Sequence, residues 1–335
     1  MTDNVNGIMS QYPLRVVSAK IIADKGKKAV WTIVTNEGTK ILKKSPATKK
    51  RLLFLIEAVK HMQNNGASIP AMVKTQSGID YSEDSSGNCY VLSEAVQGTA
   101  PTYETADLLM IMKELGRFHV ASRGFQSNFT TNEREHLGRW EQSYVRYIER
   151  LESYKGMAKN SNNEFEKLYL LHADRFIDQG KEALKWIQSR YYTNWINKVA
   201  VQKNLCHQDF AAANLIKTSR GLFVIDMDSL TYDLPARDIR KIFNKVMKKK
   251  GWNISRAALM LRAYREAHPL SEEECQIIYA DLMFPHLFYG LSSKYFNKRA
   301  EWNQPSTLQK FKTLIASDND RQKMLSAWQT IVKQS

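Results

Sequence analysis

The segment His207-Gln208-Asp209-Phe210-Ala211-Ala212-Ala213-Asn214, with Val224-Ile225-Asp226-Met227-Asp228 a short way on, constrains this chain more than any other feature. The first piece reads H-x-D-x-x-x-x-N and the second is an apolar run ending in acids. The spacing has a mechanical reading. A four-residue loop after Asp209 turns Asn214 back toward it, and a hairpin (215–217, a turn at 219–221, then 222–225) delivers Asp226 beside them. A phosphoryl-transfer site needs these parts together: one Asp to take the proton of an attacking hydroxyl, and an Asn and a second Asp to hold Mg²⁺ on the phosphates of a nucleotide. Asp209, Asn214 and Asp226 are therefore the candidate catalytic residues, with Asn214 and Asp226 as candidate metal ligands. The competing reading is a surface loop between two strands whose carboxylates are there by chance. H-x-D-x₄-N alone is weak; the hairpin and the I-D-x-D ending give it weight.

Upstream, alternating residues predict strands over 16–22, 29–35 and 39–43, with turns at 23–26 and at Asn36-Glu37-Gly38. Ile41 and Lys43 share one face of the third strand, which suits a floor for adenine with an ammonium reaching the phosphates. Lys44 points the other way. An exposed edge-strand lysine is the plain alternative, disfavoured by the acids downstream. Pro46-Ala47-Thr48 opens a helix to about residue 64, with Leu52, Leu55, Ile56 and Val59 at helical spacing. Glu57 on this helix is the candidate partner for Lys43; its alternative is a solvated helix residue. Strand-like runs at 71–75 and 89–92 flank a polar turn at 82–88. The passage from Tyr90 to Gly98 reads as a hinge, with the main chain near Glu94 and Val96 placed for an adenine edge. The boundary is expected near residue 98, between a sheet lobe (1–98) and a helical lobe (99–335). The first 14 residues read as a loose lead-in.

Beyond the hinge, helices are expected over 106–122, 133–153, 163–190, 255–267, 271–289, 307–316 and 318–333, with a polar connector at 160–163. Asp233 as cap and Pro235 in the first turn start another. Within that turn Asp238 has two compatible readings: a buried acceptor for the catalytic loop, or an acid stabilising a helix N-terminus. His119 lies on a helix and is read as a packing residue.

Length and composition narrow the class. A chain of 335 residues accommodates two lobes, and 43% hydrophobic content is ordinary for a globular protein. No apolar run approaches a membrane span, so no membrane partner is expected. The polar N-terminus lacks the regions of a signal peptide, and synthesis in a cytoplasm is expected. Cys89, Cys206 and Cys275 are far apart and form neither a metal-ligand spacing nor a disulfide framework. The net charge of +15 favours polyanionic partners, but no nucleic-acid-binding motif accompanies it.

His207-Gln208-Asp209 with Asn214, Ile225-Asp226-Met227-Asp228 and Asp238 resembles the aminoglycoside phosphotransferase and choline kinase branch of the protein-kinase-like fold. Leu115-Gly116-Arg117-Phe118-His119-Val120-Ala121-Ser122-Arg123-Gly124-Phe125 and Gln208, where most of that branch has Gly, are similar to the CotS family of spore-coat proteins. The resemblance runs from about Tyr12 to the C-terminus. It implies an α+β, two-lobed protein-kinase-like fold: a small antiparallel sheet with one helix, then a larger helical lobe, with ATP between. Residue by residue it implies Asp209 as base, Asn214 and Asp226 as Mg²⁺ ligands, Lys43 as the phosphate-contacting lysine with Glu57 beside it, and a structural role for His207. The implied partners are a nucleotide, a small-molecule acceptor and other spore coat proteins, and the implied location is the spore coat.

The sequence also departs from that pattern. Only Asp24-Lys25-Gly26-Lys27-Lys28 stands where a Gly-rich loop is expected, and the metal motif is D-M-D, not D-F-G. Asp238 follows Asp228 by ten positions, too few for a peptide-docking platform, so a small hydroxylated or aminated acceptor is expected. Asp228, Asp281, His286, Tyr289 and Tyr295 are acceptor-side candidates by placement, a carboxylate–aromatic mix suited to a cation. Core packing explains the aromatics near them equally well. Two functions fit these residues: an ATP- and Mg²⁺-dependent phosphotransferase, and a structural coat component on a kinase scaffold with little or no turnover.

Overall fold

The structure is a computed structural model that describes residues 2–129, 136–160, 163–297 and 304–335. It opens with a short helix, α1 (Thr2–Met9), where a loose lead-in was expected. Val5, Ile8 and Met9 recur at helical spacing and, with Tyr12, are buried against Ile33, Leu42, Tyr90 and Leu92. The polar residues around them hid a short amphipathic stripe.

Alternating residues then build β1 (Val16–Asp24), β2 (Ala29–Thr35) and β3 (Gly38–Lys44) as an antiparallel meander, with Lys43 opposite Val30. The next helix, α2 (Lys49–Asn64), starts where the Thr48 hydroxyl accepts from the Arg51 amide. β4 (Ser82–Glu83) and β5 (Cys89–Glu94) complete a five-stranded sheet in the order β1-β2-β3-β5-β4. The expected strand at 71–75 contributes only one bridge, Met72 to Ser93.

The chain leaves the sheet past Gly98, where an added Cβ would lie 2.3 Å from the Lys217 carbonyl oxygen. Thr99 forms a bridge to Lys217 there, so the crossing is stitched to the helical part. That part contains α3 (Thr105–Ala121), α4 (Trp140–Ala158), α5 (Glu164–Ile187) and α6 (Arg190–Gln202). Four short strands follow: β6 (Leu205–Cys206), β7 (Leu215–Thr218), β8 (Gly221–Val224) and β9 (Thr231–Tyr232). The rest is helical: α7 (Ala236–Lys250), α8 (Ile254–Ala267), α9 (Glu272–Met283), α10 (His286–Phe296), α11 (Gln304–Ser326) and α12 (Trp328–Lys333). β7 and β8 pair as the hairpin that brings Asp226 back, and β6 pairs with β9.

Helix boundaries moved where tertiary contacts outweighed local signals. The helix expected over 133–153 begins at Trp140 and runs on to Ala158; residues 133–135 lie outside the described residues, as do Ser161 and Asn162 of the connector. Arg190 opens a new helix after Ser189. Pro285 divides the helix expected over 271–289. By contrast, no break falls before Asp318: its carboxylate accepts from Arg321 Nε at 2.9 Å and from Gln179 Nε2 at 3.1 Å, and α11 runs through. Gly116 lets α3 press onto α8, since a Cβ there would sit 2.8 Å from the Ala267 Cβ. No helix of the described residues is long and apolar enough to cross a membrane.

Candidate functional site

Between the sheet and the helical part lies a cleft of about 650 Å³. Its upper wall carries Val30, Ile41 and Lys43; its floor carries Asn214, Ile216, Ile225, Asp226 and Asp228. Strand alternation explains the upper wall: Ile41 and Lys43 face the cleft, while Lys40 and Leu42 face the other way and are buried. At the hinge, the Glu94 amide donates to Ala71 O (2.9 Å) and the Ala95 amide to Thr39 O (3.2 Å). Val96 N–H meets no main-chain acceptor among the described residues. The Glu94 carboxylate is engaged by Lys40 Nζ at 2.6 and 2.8 Å.

The loop that carries Asp209 and Asn214 is held from below by one carboxylate. Asp238 is fully buried and accepts from the amides of His207 (2.6 Å) and Gln208 (2.8 Å) and from His119 Nε2 (3.2 Å). Burial alone would raise its pKa; the hydrogen bond and charge of His119, with the charge of Lys241, hold it below the usual range. Both expectations for Asp238 are therefore met, since it also lies in the first turn of α7. His207 accepts from the Asp209 amide through Nδ1 (3.2 Å) and donates through Nε2 to Ile225 O (3.0 Å). This fixes the neutral tautomer and ties the loop to the strand that carries Asp226; burial keeps the imidazole pKa below its ordinary value.

Gln208 takes a left-handed conformation, φ 68°, which costs a residue with a Cβ about 1–2 kcal/mol. The amide bond to Asp238 and a Lys241 ammonium on its side-chain oxygen (2.9 Å) hold it there. Asp226 is also left-handed, φ 65°, a conformation that Asp tolerates better.

Asn214 Nδ2 donates to Asp209 O (2.9 Å) and Asp209 Oδ2 (3.0 Å). That orientation leaves the carboxamide oxygen as the atom Asn214 offers elsewhere. Lys43 Nζ reaches Asp226 Oδ1 at 2.8 Å and Asp228 Oδ1 at 2.6 Å. Lys28 joins it, at 2.8 Å from Asp226 Oδ1 and 2.9 Å from Asp228 Oδ2. Burial would raise the Asp226 pKa, but the charge of Lys43 and the hydrogen bonds of Lys28 and Lys43 carry it well below the usual range. The β1–β2 turn aims Lys28: the Gly26 amide donates to Asp24 Oδ1 (2.9 Å) and the Lys25 amide to Lys28 O (2.8 Å). The sequence drew attention to the lysines beside Gly26 without assigning Lys28; only the turn geometry separates it from Lys25 and Lys27.

Glu57 does not pair with Lys43. Its carboxylate accepts from Ser127 Oγ (2.5 Å), the Asn128 amide (3.2 Å) and Asn128 Nδ2 (3.3 Å). The cause is helical phase. Leu52, Leu55, Ile56 and Val59 of α2 line the cleft and turn Glu57 toward the segment after α3. Instead, α2 is tied to the turn after Asp226 by the Arg51 guanidinium, which donates to Leu230 O.

Of the acceptor-side candidates, only Asp228 lines the cleft. Asp281 is fully buried and accepts from Tyr144 Oη (2.5 Å) and Arg240 Nε (3.2 Å), with His286 Nε2 at 2.6 Å. Tyr289 stacks on Tyr147 (4.1 Å between centroids) and Tyr295 on Phe165 (3.9 Å). These form a buried polar knot and its aromatic surround. His119, Cys206 and Asp238 also converge, their ligand-type atoms within 4.8 Å. Asp238 is already engaged by three N–H groups, and burial keeps Cys206 a thiol donating to Leu234 O (3.2 Å). These contacts make the trio a structural network.

The sequence matches the family described as "Spore coat putative kinase YutH" over residues 8–328. Spore coat protein S of Bacillus subtilis (strain 168) is 30% identical over 332 residues, covering 96% of this chain and 92% of that protein. Among solved structures, an aminoglycoside phosphotransferase from Alicyclobacillus acidocaldarius superposes with a TM-score of 0.83 at 18% identity, covering 98% of this chain and 96% of that one. Amicoumacin kinase hAmiN, in complex with AMP-PNP, Ca²⁺ and Ami, gives 0.66 at 13% identity, covering 97% of this chain and 93% of that one. At such identities the structural likeness speaks for the protein-kinase-like fold alone. The match along the sequence goes further: with nearly every residue from the buried α1 stripe to α12 inside it, the chain belongs to the YutH family of kinase-like spore coat proteins.

Proposed function

We propose that this chain is a spore-coat-associated phosphotransferase that uses ATP and Mg²⁺ to phosphorylate the hydroxyl of a small molecule. One observation carries the reading: Lys43 from the sheet meets Asp226 and Asp228 from the helical part at the floor of a roomy cleft, with Asn214 and Asp209 on the adjoining turn. Residues 1–98 act as the covering lobe and 99–335 as the lobe that supplies the chemistry. Ile41 and Ile216 offer apolar faces for adenine, and Val96 N–H offers it a hydrogen bond. The Glu94 side chain takes no part, because Lys40 holds it. Lys43 and Lys28 offer ammonium groups to the phosphates. Asp209 accepts the hydroxyl proton.

The donor set suits Mg²⁺: two carboxylates and one carboxamide oxygen are hard oxygen ligands. Asp226 and Asn214 would hold the ion, with Asp228 beside them. When bound, Mg²⁺ supplies charge neutralisation on the phosphate oxygens. Lys28 and Lys43 rest on the same carboxylates, so nucleotide and metal compete with them for those oxygens. The names of the relatives support the nucleotide and the location: hAmiN was solved with AMP-PNP, a spectinomycin phosphotransferase with ADP and spectinomycin, and protein S is a coat protein.

A second reading is favoured by a separate observation. Lysines already neutralise each exposed acid of the site, Lys28 and Lys43 on Asp226 and Asp228 and Lys245 on Asp209 at 2.6 Å. That arrangement also suits a coat component with little turnover. Thermal unfolding with ATP, with and without Mg²⁺, separates the two. An active site predicts a rise in melting temperature that needs Mg²⁺ and is lost in Asp226→Ala. Asp209→Ala is expected to keep that rise and lose transfer. No rise in the wild-type protein would leave only the scaffold.

A further inference from the structure

Helix α7 carries a cation at every fourth position along one side: Arg237, Lys241, Lys245 and Lys249. This stripe follows the catalytic loop. Arg237 Nε donates to Asp233 Oδ2 (3.0 Å), a carboxylate that also accepts from Gln208 Nε2 (3.3 Å). Lys241 Nζ donates to both carbonyl oxygens of Gln208, and Lys245 Nζ to Asp209 Oδ1 (2.6 Å). Lys249 lies 5.2 Å from the centroid of Tyr103, whose hydroxyl accepts from the Ala212 amide (3.3 Å). None of the four lines the nucleotide cleft. Gln208 and Asp209, which Lys241 and Lys245 touch, do not line that cleft either, so the two ammonium groups meet the loop outside it.

Lys241 is the member of the stripe without an ion-pair partner. Asp233 and Asp281 compensate Arg237, Asp209 pairs with Lys245, and Asp238, which attracts Lys241 from a distance, is committed to three N–H groups. Both acceptors of Lys241 are neutral. Burial and the charges of Arg240 and Arg237, against the opposing pull of Asp238 and Asp209, bring the Lys241 pKa down to about 8. A buried ammonium with like-charged neighbours and no carboxylate partner is poised for an anion. A polyammonium acceptor would be repelled, and Asp281, the acid considered for holding a cation, is closed inside the fold.

We propose that the phosphate acceptor is itself a small hydroxylated anion, bearing a phosphate or a carboxylate that docks on Lys241 and Lys245. This rests on the phosphotransferase reading and names the substrate class for it. The anion draws Lys245 off Asp209, and the freed Oδ1 takes the hydroxyl proton. The acceptor oxygen forms its bond to the γ-phosphorus of ATP, the bond from that phosphorus to the β–γ bridging oxygen breaks, and ADP leaves with the electron pair.

The test is calorimetric titration of full-length protein, saturated with Mg²⁺ and AMP-PNP, at constant ionic strength. Inorganic phosphate serves as a probe free of shape demands; glucose 6-phosphate, gluconate, glucose and kanamycin form a series from anion to polycation. Saturable phosphate binding is expected, weakened about tenfold or more in Lys241→Ala and in Lys245→Ala. It is expected to persist in Lys245→Arg and in Lys181→Ala, which removes the same charge from α5. The phosphate- and carboxylate-bearing sugars are expected to rank above glucose, their order identifying the preferred anion. No saturable phosphate binding, binding indifferent to both stripe lysines, or kanamycin binding more tightly than the anions overturns the proposal. AMP-PNP binding that needs Mg²⁺ and Asp226, beside a failed phosphate titration, sinks the anionic acceptor alone. Absence of AMP-PNP binding sinks the phosphotransferase reading, and phosphate titration without nucleotide then decides whether the stripe binds anions at all.

Discussion

Two carboxylate centres flank the loop 207–214 and are built from opposite materials. Asp238 is wholly buried, and its partners are main-chain amides and a buried imidazole. Asp226 is partly open, and its partners are two lysine ammonium groups from the other lobe. Amides of a folded loop cannot leave without unfolding it. Lysine ammonium groups on flexible stems exchange readily for a metal ion or each other. Partner type and burial, more than residue type, therefore separate a carboxylate locked into the fold from one whose partners can exchange.

Removing each acid is the strongest way to break that contrast. Asp238→Ala leaves two amides and His119 without their buried acceptor, and a loss of about 3–5 kcal/mol in urea unfolding is expected. Asp226→Ala is expected to change stability by no more than about 1 kcal/mol, because the site is partly open and both lysines keep Asp228 as a partner. Comparable losses for the two variants would erase the distinction.

Acid sharpens it. His268, whose ring lies 6.2 Å from that of His119, accepts a hydrogen bond from the Arg123 guanidinium (2.8 Å), and burial with the charges of His119 and Arg123 brings its pKa down to about 3. Its folded pKa lies below the unfolded value of about 6.5, so the unfolded chain takes up the proton first. Stability is expected to fall as pH drops from about 6.5 toward 3, by a few kcal/mol in order of magnitude. Asp226, whose pKa is also depressed, begins to contribute to the loss only as pH falls through the ordinary carboxylate range near 4. Urea unfolding at pH 7 and 5 isolates the buried side; unchanged stability between them would remove the histidines from the account.

The smallest effects test the correction at Glu57. Glu57→Gln is expected to leave Mg²⁺-dependent ATP binding unchanged and to shift stability by less than about 1 kcal/mol, since Lys43 does not rely on it. Lys28→Ala is expected to weaken ATP about tenfold with a similarly small change in stability. The reverse ranking in a nucleotide-binding assay would restore Glu57 as the partner of Lys43.

Much of this was legible along the chain. Alternation placed Ile41 and Lys43 on one strand face, and the hairpin spacing brought Asp226 back to Asn214. The expectation that Glu57 pairs with Lys43 failed: Glu57 lies off the stripe of Leu52, Leu55, Ile56 and Val59, and the helical phase that predicts α2 turns it toward Ser127 and Asn128. The α1 helix was missed because three apolar residues among polar ones are a weak signal until a sheet covers them.

What the sequence by itself determined were the local properties: which residues alternate, which recur at helical spacing, and which acids and amides stand a turn apart in the catalytic loop. Tertiary structure alone decided pairings between distant residues that the sequence did not propose: Lys28 with Asp226, Glu57 with Ser127, and a row of cations on α7 along the loop. Periodicity is written in neighbouring residues. Charge pairing depends on which surfaces packing brings within a few ångströms, and no short stretch of sequence contains that distance.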